Sequence, residues 1–259
     1  MKTTLKRIAF SLSLVLMALP LIGHAQAHSR DIKNVVLVHG AFADGSSWNE
    51  VALQLQKKGF NVIAVQNPLT SIADDVAATK RAIAMMDGPV LLVGHSYGGM
   101  VITEAGNDPK VLGLLYVSAL IPDDNQSVMD VLQPFPPAPG SSEFQQDETG
   151  FLHLSRQGIH KYFAQDLPAA KRELIYATQV HWAAQATVTK ISTAAWKSKP
   201  SWCIVATEDQ MINPGLERAT AKMIGATVLE IESSHIPMVS HPKKVADFIQ
   251  SATKTLYLE

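Results

Sequence analysis

Apolar residues fall along this chain in two alternating rhythms. Short unbroken runs, of the kind a strand buried on both faces requires, occur at 33–38, 60–65, 90–93, 111–120, 201–206 and 227–231. Between them the spacing changes to a helical period. From Ser47 it runs through Trp48, Val51, Leu53 and Leu55 to a stop at Gly59. A second amphipathic stretch covers 71–86, with Ser71 as N-cap and Asp74 in its first turn. Further helices are expected from Met100 to about Gly106, over 214–224, and from about His241 onward, the last with Ser240 as N-cap and Pro242 in its first turn. Strand and helix alternate, and each connection is long enough for a parallel crossover. The pattern predicts an α/β protein with one mostly parallel sheet of about six strands and helices on both faces.

The alternation stops at Ile121. Residues 122–199 hold Pro134, Pro136, Pro137, Pro139 and Gly140, then helix-like pieces at 151–163 and 168–185. The segment is rich in large side chains, among them Met129, Phe135, Phe151, Tyr162, Phe163, Tyr176, Trp182 and Trp196. It reads as a helical cap inserted over the sheet, where large apolar side chains would line a ligand pocket.

The first 27 residues read as a leader rather than as part of the fold. Lys2, Lys6 and Arg7 precede an apolar run over 8–22, and Ala25-Gln26-Ala27 is a small-x-small cleavage site. The run is short for a membrane span and Pro20 interrupts it. An exported protein, periplasmic or secreted, is expected, with one domain over 28–259 and no membrane insertion after cleavage. Loss of the leader removes three of 22 basic residues and none of 23 acidic ones, leaving a net charge of −4. Without a basic cluster there is no electrostatic footprint for nucleic acid. Cys203 is the only cysteine, so no intramolecular disulfide forms, and its apolar setting makes it an inert core residue.

Candidate chemistry sits where strand meets helix. Val90-Leu91-Leu92-Val93 is followed at once by Gly94-His95-Ser96-Tyr97-Gly98 and then a helical run, a Gly-x-Ser-x-Gly sequence in a strand–turn–helix context. Such a turn holds Ser96 clear of the sheet and points the next backbone N–H at a developing oxyanion. A serine needs a base, and the base needs an orienting group. Both kinds of residue follow later strands: Glu208 and Asp209 after 201–206, His235 after 227–231. Carboxyl ends of parallel strands are where an open α/β sheet gathers its functional loops. Other histidines fit this role less well. His39 and His95 suit packing against loop backbone, and His241 falls at the start of the last helix. His153, His160 and His181 lie in the inserted segment. His235 and His241 lack a third ligand, so no metal site is expected.

The order Ser96, Asp209, His235, with His39-Gly40-Ala41-Phe42 after the first strand, resembles the α/β-hydrolase superfamily across essentially the whole chain from 28 onward. The short approach to the first strand is similar to the compact six-stranded branch of small bacterial esterases, plant methyl esterases and hydroxynitrile lyases. The resemblance selects Asp209 over Glu208, and over Asp123 and Asp124, which follow the preceding strand, where some members of the family carry the acid. It also implies an oxyanion hole from the N–H groups of Tyr97 and Ala41, with Phe42 as the neighbouring candidate. The lyases carry Thr and Lys where Gly40 and Ile236 stand, which favours hydrolysis. A Ser-His-Asp esterase without a cofactor, acting on a small ester, lactone or thioester, is therefore expected. Perhydrolases and idle ligand-binding members of the same fold share these motifs. Phe42, Phe135, Trp182 and Ile236 are the expected substrate contacts.

Overall fold

The computed structural model describes residues 32–256; the leader read at 1–27 lies outside the described residues. The first half of the chain alternates as its periodicity predicts: β1 (Asn34–Val38), α1 (Asn49–Lys57), β2 (Asn61–Ala64), α2 (Ile72–Ala84), β3 (Val90–His95), α3 (Gly98–Ala105) and β4 (Val111–Val117). The insertion then contributes α4 (Val128–Leu132), β5 (Phe144–Gln146), β6 (Phe151–Leu154), α5 (Arg156–Gly158), α6 (Ala169–Thr178) and β7 (Trp182–Ala183). Alternation resumes with β8 (Ser201–Ala206), α7 (Pro214–Met223), β9 (Thr227–Ile231), the short α8 (Pro237–Ser240) and α9 (Pro242–Thr255).

Six strands form one sheet in the order β2-β1-β3-β4-β8-β9, every neighbouring pair parallel. β1, β3 and β8 are buried along their full length, which is why their sequences run apolar without alternation. Each fully buried Val or Leu there contributes about 1.5–3 kcal/mol relative to an exposed one. Helix α1 packs with α9, and α2 with α3. The chain leaves β1 towards the β2 edge and leaves β3 in the opposite direction, so the crevice beyond β1 and β3 is the topological switch point of the sheet.

Local capping matches expectation at α2, where the Ser71 hydroxyl accepts the Asp74 N–H at 3.1 Å. It differs at α9. His241 is the N-cap, and the Ser240 hydroxyl instead bonds Ser233 Oγ at 2.9 Å and the Ile236 carbonyl at 3.4 Å. Pro242 does occupy the first turn, because its missing N–H removes a donor that would have no helical partner there.

The insertion is not helical throughout. Residues 151–154, expected to open a helix, form β6, the middle strand of a three-stranded antiparallel sheet β5-β6-β7. The helix expected over 168–185 stops at Thr178, and Trp182 sits in β7 instead. The Gln179 side chain accepts the Leu154 N–H at 2.9 Å and donates to the Leu154 carbonyl at 3.1 Å, standing in for a strand partner. Antiparallel pairing of this kind rewards residues distant in sequence, so local periodicity does not announce it.

Candidate active site

Ser96 occupies the turn between β3 and α3 with φ 53°, a left-handed conformation that costs a residue with a Cβ free energy. The strain is held by backbone bonds on both sides. Ser96 N–H donates to the Val117 carbonyl at 3.1 Å, and the Ser96 carbonyl accepts from Gly99 at 2.9 Å and Leu120 at 3.1 Å. A Cβ on Gly94 would lie 2.6 Å from the Gly98 carbonyl oxygen, so the turn closes only with glycine there. Gly40 is equally constrained, since a Cβ would stand 2.6 Å from Ser96 Cβ.

The loops after β8 and β9 bring the other two candidates to this turn. Ser96 Oγ donates to His235 Nε2 at 2.8 Å, and His235 Nδ1–H donates to Asp209 Oδ2 at 2.6 Å. The tautomer follows from the carboxylate, which only accepts. Asp209 Oδ1 takes the backbone N–H groups of Met211 at 2.7 Å and Ile212 at 3.0 Å, so three donors hold it. All three side chains are buried. The Phe163 ring packs on the imidazole with centroids 5.3 Å apart. Among the described residues, the N–H groups of Tyr97, Ala41 and Phe42 have no backbone acceptor. Phe42 is itself left-handed, at φ 61°.

Both neighbouring histidines serve the loops, as the sequence suggested. His95 Nε2–H donates to the His235 carbonyl at 2.8 Å, and burial holds its pKa well below the usual imidazole value, so it stays neutral. His39 accepts the Asn67 N–H at 2.9 Å and donates to the Gly40 carbonyl at 2.8 Å, and burial lowers its pKa too. Glu208 is exposed. Asp123 and Asp124 pair with Lys197 at the surface. His241 bonds the Glu232 carbonyl at 3.0 Å, and His153, His160 and His181 are absent from the lining of the cavity at Ser96. No cluster of three metal-ligating side chains occurs among the described residues. Cys203 is buried, and burial pushes its thiol pKa up.

A cavity of about 50 Å³ opens on Ser96 and His235, walled by apolar side chains that include Leu120, Val128, Phe144, Trp182 and Met211. Phe42 and Phe163 separate it from a second cavity of about 310 Å³ that reaches Lys171, Leu174 and Glu50. Of the expected contacts, Phe42 and Trp182 line the inner cavity and Ile236 the outer. Phe135 lines neither. Its ring sits against the first turn of α7, where a Cβ on Gly215 would lie 3.4 Å from it, because the Gly140 N–H bonds the Gln210 carbonyl at 2.8 Å and ties the Pro-rich stretch to the loop that leads into α7.

Two polar groups escaped the sequence reading. Asp166, from the insertion, accepts the Ser234 N–H at 2.9 Å and the Ser233 hydroxyl at 3.3 Å, pinning the loop that carries His235. Asp75, on α2, accepts the Tyr97 hydroxyl at 2.8 Å and the Leu69 N–H at 2.8 Å. Neither lies near Ser96, Asp209 or His235 in sequence, and neither belongs to a motif.

The model of the alpha/beta hydrolase family matches residues 35–248, and the chain belongs to that family. It is 32% identical over 152 residues to a carbendazim hydrolyzing esterase of Nocardioides sp., covering 52% of this chain and 60% of that one. Polyneuridine aldehyde esterase of Rauvolfia serpentina is 25% identical over 258 residues, covering 86% of this chain and 96% of its own. A crystal structure of polyneuridine aldehyde esterase superposes with a TM-score of 0.74 at 22% identity, over 85% of this chain and 99% of that one, which establishes the shared fold.

Proposed function

We propose that this protein is a serine esterase for small carboxylic esters. The observation that carries the reading is the continuous Ser96–His235–Asp209 hydrogen-bonded array, 2.8 and 2.6 Å long, at the floor of an apolar cavity. His235 takes the Ser96 proton as the hydroxyl attacks the ester carbonyl, and Asp209 stabilises the imidazolium. The N–H groups of Tyr97 and Ala41 receive the tetrahedral oxyanion. His235 then gives its proton to the departing alcohol, leaving an acyl-enzyme that a water, activated by the same imidazole, hydrolyses.

The esterase names of the relatives support ester hydrolysis. The small inner cavity suits a short or flat group on one side of the ester, and the larger outer cavity suits the other half. Lyase chemistry of the hydroxynitrile type is disfavoured. A threonine at position 40 would place its Cβ against Ser96, and Ile236 supplies no cation for a departing cyanide.

The test is release of p-nitrophenol from short-chain p-nitrophenyl esters by the wild type beside Ser96→Ala. Turnover by the wild type and a loss of about a thousandfold or more in the variant is expected. Equal rates in the two proteins would sink the proposal.

A further inference from the structure

Glu217 is a buried carboxyl that the chemistry above leaves unused. It lies in the first turn of α7, is 3% exposed, and accepts the Ala206 N–H on Oε2 at 3.3 Å. Its other oxygen, Oε1, is buried with no partner. Ala206 ties Glu217 to Asp209: the Ala206 N–H donates to Glu217 and the Ala206 carbonyl accepts the Asp209 N–H at 3.3 Å, which sets the two carboxyl groups beside each other.

Two ionised carboxylates in contact and away from water are not tolerated unless a cation sits with them. None does. Arg218, next along the helix, turns out to an exposed pair with Glu230 at 2.7 Å. The other titratable groups bordering Glu217 are the Cys203 thiol of β8 and the Tyr116 phenol of β4, and neither brings positive charge. Burial first, and the Asp209 charge second, hold the Glu217 pKa well above the usual carboxylate range. The proton therefore stays on Glu217, whose Oε1 has no donor, whereas three N–H groups already donate to Asp209.

The accounting of lone pairs then closes. A carboxylate offers about four acceptor sites. On Asp209, Oδ1 fills two with Met211 and Ile212, and Oδ2 fills one with His235. One site on Oδ2 is left. Glu217 Oε1 has no partner as an acceptor, but as a hydroxyl it has a proton to give.

We infer that Glu217 is a positioning residue of this site: a neutral carboxylic acid whose hydroxyl donates to Asp209 and completes its hydrogen bonding. The inference rests on the esterase reading. Glu217 touches neither substrate nor Ser96. It acts through Asp209, fixing the plane of the carboxylate that orients His235 and keeping the buried charge beside the imidazole at one rather than two.

Two substitutions separate the donor from mere packing. Glu217→Gln keeps a donor towards Asp209 and an acceptor towards Ala206, whereas Glu217→Leu fills the space with neither. Ester hydrolysis by Glu217→Gln should stay within a few-fold of wild type. In Glu217→Leu, kcat should fall about 10- to 100-fold with KM little changed, by analogy with the loss of a hydrogen bond that supports a metal ligand. Infrared spectroscopy of the wild type at a pH well above about 6, where Asp75 is ionised, should show the C=O band of a buried protonated carboxylic acid, absent in Glu217→Gln. The inference is overturned if that band is absent from the wild type, or if the two variants show equal activity. The infrared readout needs no turnover, and labelling of Ser96 by a fluorophosphonate tests the nucleophile separately. A wild type that neither labels nor hydrolyses esters, yet carries the band, would overturn the esterase reading and, with it, the role in orienting His235.

Discussion

Tyr97 donates its phenolic hydroxyl to Asp75 Oδ2 at 2.8 Å, so the residue that follows Ser96 in the turn between β3 and α3 is tied to a buried carboxyl group on α2. The other oxygen of Asp75 holds the Leu69 N–H, and the Leu69 carbonyl accepts the Ala183 N–H of β7 at 2.9 Å. One carboxyl group thus links the Ser96 turn to the insertion that covers it. Burial pushes the Asp75 pKa up to about 6. A raised carboxyl pKa means the folded protein favours the protonated form. The stability Asp75 contributes is complete below its unfolded value of about 3.9 and is lost as pH rises through about 6. Urea unfolding of wild type and Asp75→Asn between pH 4 and 7 should show the variant gaining stability relative to wild type across that window. A difference that is flat with pH would contradict this.

Tyr97→Phe leaves Asp75 Oδ2 without its donor in a site closed to water. A loss of about 1–3 kcal/mol in unfolding free energy is expected. Combined with Asp75→Asn, the two changes should be non-additive, because they remove one shared interaction.

Asp209→Asn preserves shape but presents an amide to His235 Nδ1, where only an acceptor fixes the tautomer. If the array works as proposed, kcat for ester hydrolysis should fall by about 10⁴-fold with the fold intact by circular dichroism. A loss of less than tenfold would remove Asp209 from the mechanism.

Asp166→Ala frees the loop carrying His235 without touching the cavity. Because Asp166 is exposed, thermal stability should move little, while kcat should drop about 10- to 100-fold as His235 loses its fixed position. Parallel losses of stability and activity would make Asp166 a general structural anchor instead.

Phe42→Ala removes part of the wall between the 50 Å³ and 310 Å³ cavities. Rates on a panel of p-nitrophenyl esters should shift towards longer acyl chains. An unchanged chain-length profile would show that the wall does not select substrate.

The chain by itself determined what depends on neighbours in sequence. Unbroken apolar runs at β1, β3 and β8 reflect burial on both faces, and Gly94, Ser96 and Gly98 spell a turn that few other residues can enter. That Ser96, a carboxylate at 208–209 and His235 each follow a strand was legible because a parallel sheet collects its loops at one end, and the family resemblance then selected Asp209. Tertiary structure alone decided the rest. Nothing local in Phe151-Leu152-His153-Leu154 says it pairs with 144–146 and 182–183 rather than coiling, since strand pairing is settled by partners far along the chain. Phe135 and Trp182 are both large apolar residues of the insertion, and only its path over the sheet puts one in the cavity and the other against α7. Asp75, Asp166 and Glu217 look in sequence like ordinary surface carboxylates. Two of them are buried and all three hold the site, because a carboxylate's role is set by which donors the fold brings to it, and those lie 22, 68 and 11 residues away.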